Sequence, residues 1–239
     1  MSGHSHWHKI RYKKGTTDLK RSKAFSKMVR LITVAAKEAG GDPEKNPKLR
    51  MVIDKAKELN LPSENIERAI KKGTGELEGI KLEEFLFEAY GPDKIAIIIE
   101  GITDNKNRTL AEIKQTLDKH KGKLVDVGSV KWLFERRGVV TIKTKPEKKE
   151  DVQMIAIELG AEDLISRDGF LYIYTRPEEL EKIKKELEKK GIIPESISLD
   201  WVAKEEIETT EQNKKTAFEL FEALDSSEDV QEIYSNLKV

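Results

Sequence analysis

The sequence has no cysteine. Disulfides, thiolate metal sites and a cysteine nucleophile are thereby excluded, and stability has to come from packing and charge. Long apolar runs are also missing. No stretch approaches the roughly 20 residues that span a bilayer, and the opening MSGHSHWHKIRYKK lacks the apolar centre of a signal segment, so a cytoplasmic location with no membrane partner is expected. Histidine is scarce: of four, three (His4, His6 and His8) crowd the first residues, and only His120 lies elsewhere. His120 stands just before Gly122 at the end of a helical pattern, a position that suits a cation near a C-terminus. No catalytic triad or metal-ligand set can be built from it. The glycine-containing stretch GTGELEG does not follow a strand and has the spacing of neither phosphate-binding loop, so it reads as a linker. These absences point away from an enzyme, and no cofactor is expected.

What the sequence has in quantity is charge. Charged residues make up 37% of it and their formal sum is zero, but the sum conceals a partition. Met1 to Gly75 carry 18 Lys and Arg against 8 Asp and Glu, whereas the remainder carries 26 against 36. A segregated basic block is the electrostatic footprint of a polyanion partner, and a balanced total limits indiscriminate adhesion. The mixing of signs along most helices suits surface ion-pair networks. A chain of 239 residues exceeds a typical single core, so two or three domains are expected.

Residues 1–17 hold basic and aromatic side chains with little apolar periodicity and read as a flexible basic arm. A helix is predicted from Asp18, where Phe25, Met28, Ile32, Ala35 and Ala39 form an apolar stripe that Gly40 and Gly41 end. A second follows Asn46-Pro47 and buries Leu49, Val52, Ile53, Ala56 and Leu59. A third begins at Pro62, buries Ile66, Ala69 and Ile70, and stops at Gly73. Period-two patterns then take over: LEEFLFEAYG and KIAIIIEGIT read as a hairpin, RTLAEIKQTLDKHKG as a helix, and SVKWLFER as a strand. From Val139 the order strand, helix, strand, strand, helix, strand is the ferredoxin-like plan. The tail offers two further helices, one with Phe218, Phe221 and Leu224 and one with Val230, Ile233, Tyr234 and Leu237. It is expected to return to the middle unit, which has too few helices. The predicted fold class is α+β, a three-helix N-terminal domain followed by two ferredoxin-like α+β domains. The predicted boundaries are an arm over 1–17, a helical bundle over 18–78, a discontinuous domain from 79–137 plus 204–239, and a ferredoxin-like domain over 138–203.

On the first helix Lys20, Lys23, Lys27, Arg30 and Lys37 are spaced to form one stripe opposite Phe25. Such a row can track a phosphate backbone. Lys9, Arg11, Lys13, Lys14 and Arg21 flank it, and Trp7 and Tyr12 are available to stack on bases. Nothing at a recognition-helix position supports base readout by a helix-turn-helix. With Met1 removed, Ser2-Gly3-His4 would have a free amine and an imidazole able to chelate Cu(II) or Ni(II). Capture of that kind is commonly incidental, and contacts from these imidazoles to nucleic acid are the better reading, so no metal site is predicted. Phe170, Tyr172 and Tyr174 share one face of a strand. Interdomain packing explains them better than the base stacking of RNA-recognition motifs, because the predicted strand 139–143 supplies no aromatic partner. In TDNKNRT (103–109), Asn105 or Asn107 can cap the following helix, and capping is favoured over phosphate contact through Lys106 and Arg108.

Several long motifs in order resemble one family over essentially the whole length: SGHSHWHKIRYKK at the start, KAFSKMVRLITVAAKEAGGDPEKNPKLRMVIDKAKELNLPSENIERAIKKGTGE after it, and EAYGP, TDNKNRT and GSVKWLFERRG in the middle. The sequence is identified on these as similar to the YebC/PmpR family. The resemblance implies three domains and a transcriptional regulator acting through DNA. A related mitochondrial translational activator implies an alternative, a ribosome-associated factor that contacts ribosomal or transfer RNA and helps elongation through proline-rich sequences. Transcription machinery or the ribosome are the implied larger partners. The chain is expected to act as a monomer. A third reading, a scaffold whose basic half engages its acidic half, needs no nucleic acid.

Overall fold

The computed structural model describes residues 18–144, 149–167 and 169–238, with side chains from Arg21 on. Three helices lead: α1 (Asp18–Ala39), α2 (Pro47–Glu58) and α3 (Ser63–Thr74). Their apolar stripes close one core of Met28, Ile32, Ala35, Leu49, Ile53, Ala56, Ile66 and Ala69. Asn46 joins the first two helices. Its side-chain oxygen accepts from the Leu49 amide at 3.0 Å, capping α2, while its own amide donates to the Ala35 and Gly40 carbonyls at 2.8 Å each, so one buried side chain satisfies orphan groups on both helix ends. Helix α1 presses on α3 at Gly73, where a Cβ would come within 2.4 Å of the Thr33 carbonyl oxygen.

Two four-stranded sheets follow. The first contains β1 (Glu83–Tyr90), β2 (Ala96–Thr103), β3 (Lys123–Val125) and the C-terminal β8 (Val230–Ser235), in the order β3-β1-β2-β8 with every pair antiparallel. Helices α4 (Lys106–Lys119) and α7 (Glu211–Asp225) cover one face, where Phe85, Phe87, Ile97, Ile99, Ile113, Leu117, Leu220, Phe221 and Ile233 are buried. The second sheet contains β4 (Phe134–Lys143), β5 (Asp163–Arg167), β6 (Phe170–Thr175) and β7 (Ser196–Ala203), ordered β5-β6-β4-β7, with α5 (Lys149–Glu158) and α6 (Leu180–Lys189). Its chain order and antiparallel spatial order are those of the ferredoxin-like plan. The first sheet reaches an equivalent arrangement by another path, since the tail supplies its last helix and edge strand. The α+β class with helices leading two such sheets is the predicted one.

Two local expectations are corrected, and one strand went unpredicted. The last predicted helix is the strand β8, which pairs with β2. The predicted strands 129–136 and 139–143 are a short turn of helix at Lys131–Leu133 followed by one continuous strand, β4. The three-residue strand β3, paired with β1 over Glu88–Tyr90, was too short to leave a periodic signal.

The two sheets meet through a second cluster of Ala96, Ile98, Val130, Phe134, Ala203 and Tyr234, with Trp201 against it. Glu100 sits at this junction: its carboxylate accepts from the Trp201 indole at 2.7 Å, from the Tyr234 hydroxyl at 3.3 Å and from Arg136 at 3.2 Å. The Arg136 guanidinium also lies over the Trp201 ring, 5.2 Å from its centre. Tyr172 and Tyr174 are buried with Val139 and Val202, and Phe170 packs against them, which places these aromatics in a packed cluster.

Candidate nucleic-acid interface

The basic stripe of α1 lies on the side of the bundle that meets the first sheet. Lys23 donates to the Ser226 carbonyl at 3.0 Å. Lys27 is buried and donates both to the Asp225 carbonyl at 3.0 Å and to its carboxylate at 2.8 Å. Arg30 donates to the Ile102 carbonyl at 2.9 Å, is ion-paired with Asp229, and lies 3.8 Å from Glu228. Lys37 reaches the Leu82 carbonyl at 3.3 Å. Lys23, Lys27 and Arg30 of the stripe thus meet the segment 225–229 between α7 and β8, while Arg30 also reaches the carbonyl of Ile102 and Lys37 that of Leu82. Arg21 differs, being exposed with its guanidinium 5.3 Å from the centre of the Phe25 ring. Lys20 has its backbone in α1, while its side chain lies outside the described set. Trp7, Lys9, Arg11, Tyr12, Lys13, Lys14 and the histidines 4, 6 and 8 lie outside the described residues altogether.

Asp229 is the centre of this corner. Its carboxylate accepts from Thr103 at 3.0 Å, Thr109 at 2.5 Å and Arg108 at 3.0 Å, and from Arg30. Burial resists its ionisation, but hydrogen bonds from Thr109, Arg30 and Arg108 outweigh burial and hold the carboxyl below its ordinary range. The segment 103–109 supplies three of these donors and also caps α4, through the Asn105 side chain accepting from the Arg108 amide at 3.1 Å. Capping is therefore realised, by Asn105. Arg108 is committed to Asp104 at 2.6 Å and to Asp229, which raises its pKa through those two carboxylates. His120, the C-cap residue that follows α4, contacts the Thr116 carbonyl at 2.8 Å. Among the described residues no group of three His, Asp or Glu side chains is placed to hold a metal ion, and no helix is long and apolar enough to cross a membrane.

A second organised feature escaped the sequence. Glu88, buried in β1, accepts from three amides of one loop, Gly128 at 2.6 Å, Val130 at 2.7 Å and Lys131 at 2.9 Å. Burial works against the charged form, but those amides prevail and lower its pKa. The signal was present: Glu88 lies in EAYGP and its partners in GSVKWLFERRG, two of the middle-unit motifs, and a lone carboxylate at an inward register position needs buried donors.

A helical head followed by two four-stranded sheets of ferredoxin-like arrangement defines a three-module α+β protein. Residues 5–76 match the TACO1/YebC protein N-terminal domain and residues 82–237 match the TACO1/YebC second and third domain. The chain belongs to the TACO1/YebC family. Relatives include proteins called "Probable transcriptional regulatory protein" in Persephonella marina, 48% identical, and Halothermothrix orenii, 46% identical, each alignment covering all of this chain and 96% of the relative. A crystal structure of a conserved hypothetical protein from Aquifex aeolicus superposes with a TM-score of 0.85 at 41% identity, covering 92% of this chain and 90% of that one.

Proposed function

We propose that this protein is a cytoplasmic, non-enzymatic regulator of transcription that binds DNA through its N-terminal region. The observation that carries this reading is the concentration of 18 basic against 8 acidic residues from Met1 to Gly75, in a chain with relatives called "Probable transcriptional regulatory protein". The binding surface assigned to it is Trp7, Lys9, Arg11, Tyr12, Lys13 and Lys14 with Lys20 and Arg21, where phosphate contact and stacking are available together. Lys23, Lys27 and Arg30 take a different part. Their hydrogen bonds to residues 225–229 make them the joint between head and body.

The test is a salt series of duplex-DNA binding by the full chain and by a variant with Lys9, Arg11, Lys13 and Lys14 replaced by alanine. Affinity should fall for every sequence, and the slope of log K against log salt should flatten by about 0.9 for each duplex phosphate that the variant no longer neutralises. An unchanged slope rejects the arm as the binding surface. Loss of DNA at physiological salt with intact ribosomal subunits still retained would move the chain to translation.

A further inference from the structure

The loop between β3 and β4 combines two properties that oppose each other in an ordinary surface loop. It is fixed, and it exposes large apolar side chains. Glu88 holds three of its amides, the Tyr90 hydroxyl donates to the Ser129 carbonyl at 3.4 Å, and the Trp132 indole N–H donates to the same carbonyl at 3.0 Å. Val130 beneath is fully buried. Yet Trp132 is 65% exposed and Val127 86%. With its indole N–H satisfied inside the loop, Trp132 has only its ring to offer, at little entropic cost on binding because the loop is already ordered.

The charge around it selects the partner. The C-terminal part of the chain is acidic as a whole, but between Lys119 and Trp132 four lysines (Lys119, Lys121, Lys123 and Lys131) stand against one acid, Asp126. Lys123 pairs with Tyr90 across β3 and β1, and directly paired residues project to the same face. Tyr90 packs with Val130 and Leu133, so Lys123 emerges on the face that carries the loop. Lys131 adjoins Trp132 and is exposed, its ammonium 4.9 Å from the centre of the Trp201 ring.

A rigid exposed indole beside lysines is the combination that takes an unpaired base with its flanking phosphates. We infer that the 126–132 loop is a second nucleic-acid site, separate from the N-terminal head, at which Trp132 stacks on an unpaired base while Lys123 and Lys131 contact the adjoining phosphates. A base inside a duplex has no free face and is not a ligand here.

The experiment measures anisotropy of labelled 12-nucleotide single-stranded RNA, single-stranded DNA of the same sequence and the corresponding duplex, with the full chain, Trp132→Ala and Trp132→Phe. Alanine should weaken single-strand binding about ten-fold or more, phenylalanine should restore most of it, and duplex affinity should stay within two-fold in both. The relative loss on the RNA and DNA strands tells which is preferred. Equal losses on duplex and single strand, or no loss on either single strand, overturn the site. So does an unchanged oligonucleotide affinity with lost binding of a labelled Glu- and Leu-containing peptide, which would make the loop a protein-docking surface. The four-residue arm variant run in parallel reports on the head independently, since duplex binding that survives it rejects the arm as the DNA surface without touching Trp132.

Discussion

At the scale of single residues, the buried carboxylates Glu88 and Asp229 do most to fix the middle of the molecule, because each satisfies several donors that would otherwise be stranded. Glu88→Gln should cost about 2–4 kcal/mol at neutral pH, since charge-assisted bonds to three amides are replaced by those of one neutral oxygen with an amide group pressed against the remaining donors. The sign of its pH dependence follows from its lowered pKa. A carboxyl depressed in the folded state stabilises fully above the ordinary carboxylate range, and that contribution is lost as pH falls through the folded value. Denaturant midpoints of the protein and of Glu88→Gln should therefore differ most at pH 7 and converge on acidification. A gap independent of pH would mean that Glu88 acts by shape alone.

At the scale of elements, what the sequence made legible was what repeats. The three N-terminal helices, the β1–β2 hairpin and the ferredoxin-like order were written in periods of 3.6 and 2 over long enough segments, with Asn46, Pro47 and Gly40 as punctuation. Strand β8 was misread for an identifiable reason. Val230 and Ile233 both lie in the core of the first sheet, three residues apart as on a helix, because Glu100 pairs with Glu232 but Gly101 with Val230. Gln231 is the extra residue of a bulge, and a bulge breaks the alternation on which a strand assignment rests. Of the candidate interface, the charge pattern was legible but its direction was not, since a stripe of lysines is the same whether it meets phosphates or the chain's own carboxylates. The bulge also sets the position of Asp229, whose carbonyl accepts from the Ile102 amide at 2.8 Å. Deleting Gln231 would let the ladder run unbroken and draw Asp229 along by about one residue rise, roughly 3.4 Å, away from Thr103, Thr109, Arg30 and Arg108. The deletion and Asp229→Ala should each cost about 3–5 kcal/mol, and the double change little more than either, measured by urea unfolding. Fully additive losses would show that the bulge and the carboxylate are independent.

At the scale of the whole molecule, the charge partition has an internal counterpart. Head cations meet body acids at Lys27 with Asp225, Arg30 with Asp229, Lys48 with Glu84 at 3.1 Å and Lys55 with Glu232 at 3.7 Å. The last two are partly exposed and contribute little, about 0–1 kcal/mol each. Lys27 and Arg30 are more shielded, and solvent ions screen them less. A polyanion approaching α1 competes with Asp225 and Glu228 for the same cations, so the joint that holds the head also limits how much positive charge the head presents. Removing those acids should release it. Asp225→Asn with Glu228→Gln frees Lys27 of its carboxylate while Asp229 still holds Arg30, and should tighten duplex-DNA binding several-fold and steepen its salt dependence by up to about one neutralised phosphate. Small-angle scattering should show an unchanged radius of gyration, because the Arg30–Asp229 pair keeps the head in place. Lys27→Ala with Arg30→Ala should instead raise the radius of gyration, as the head swings out on the linker after Gly75, without a gain in affinity, because the cations are gone. If the acid-side variant leaves DNA affinity and slope unchanged, the α1 cations are purely structural and binding belongs to the arm alone.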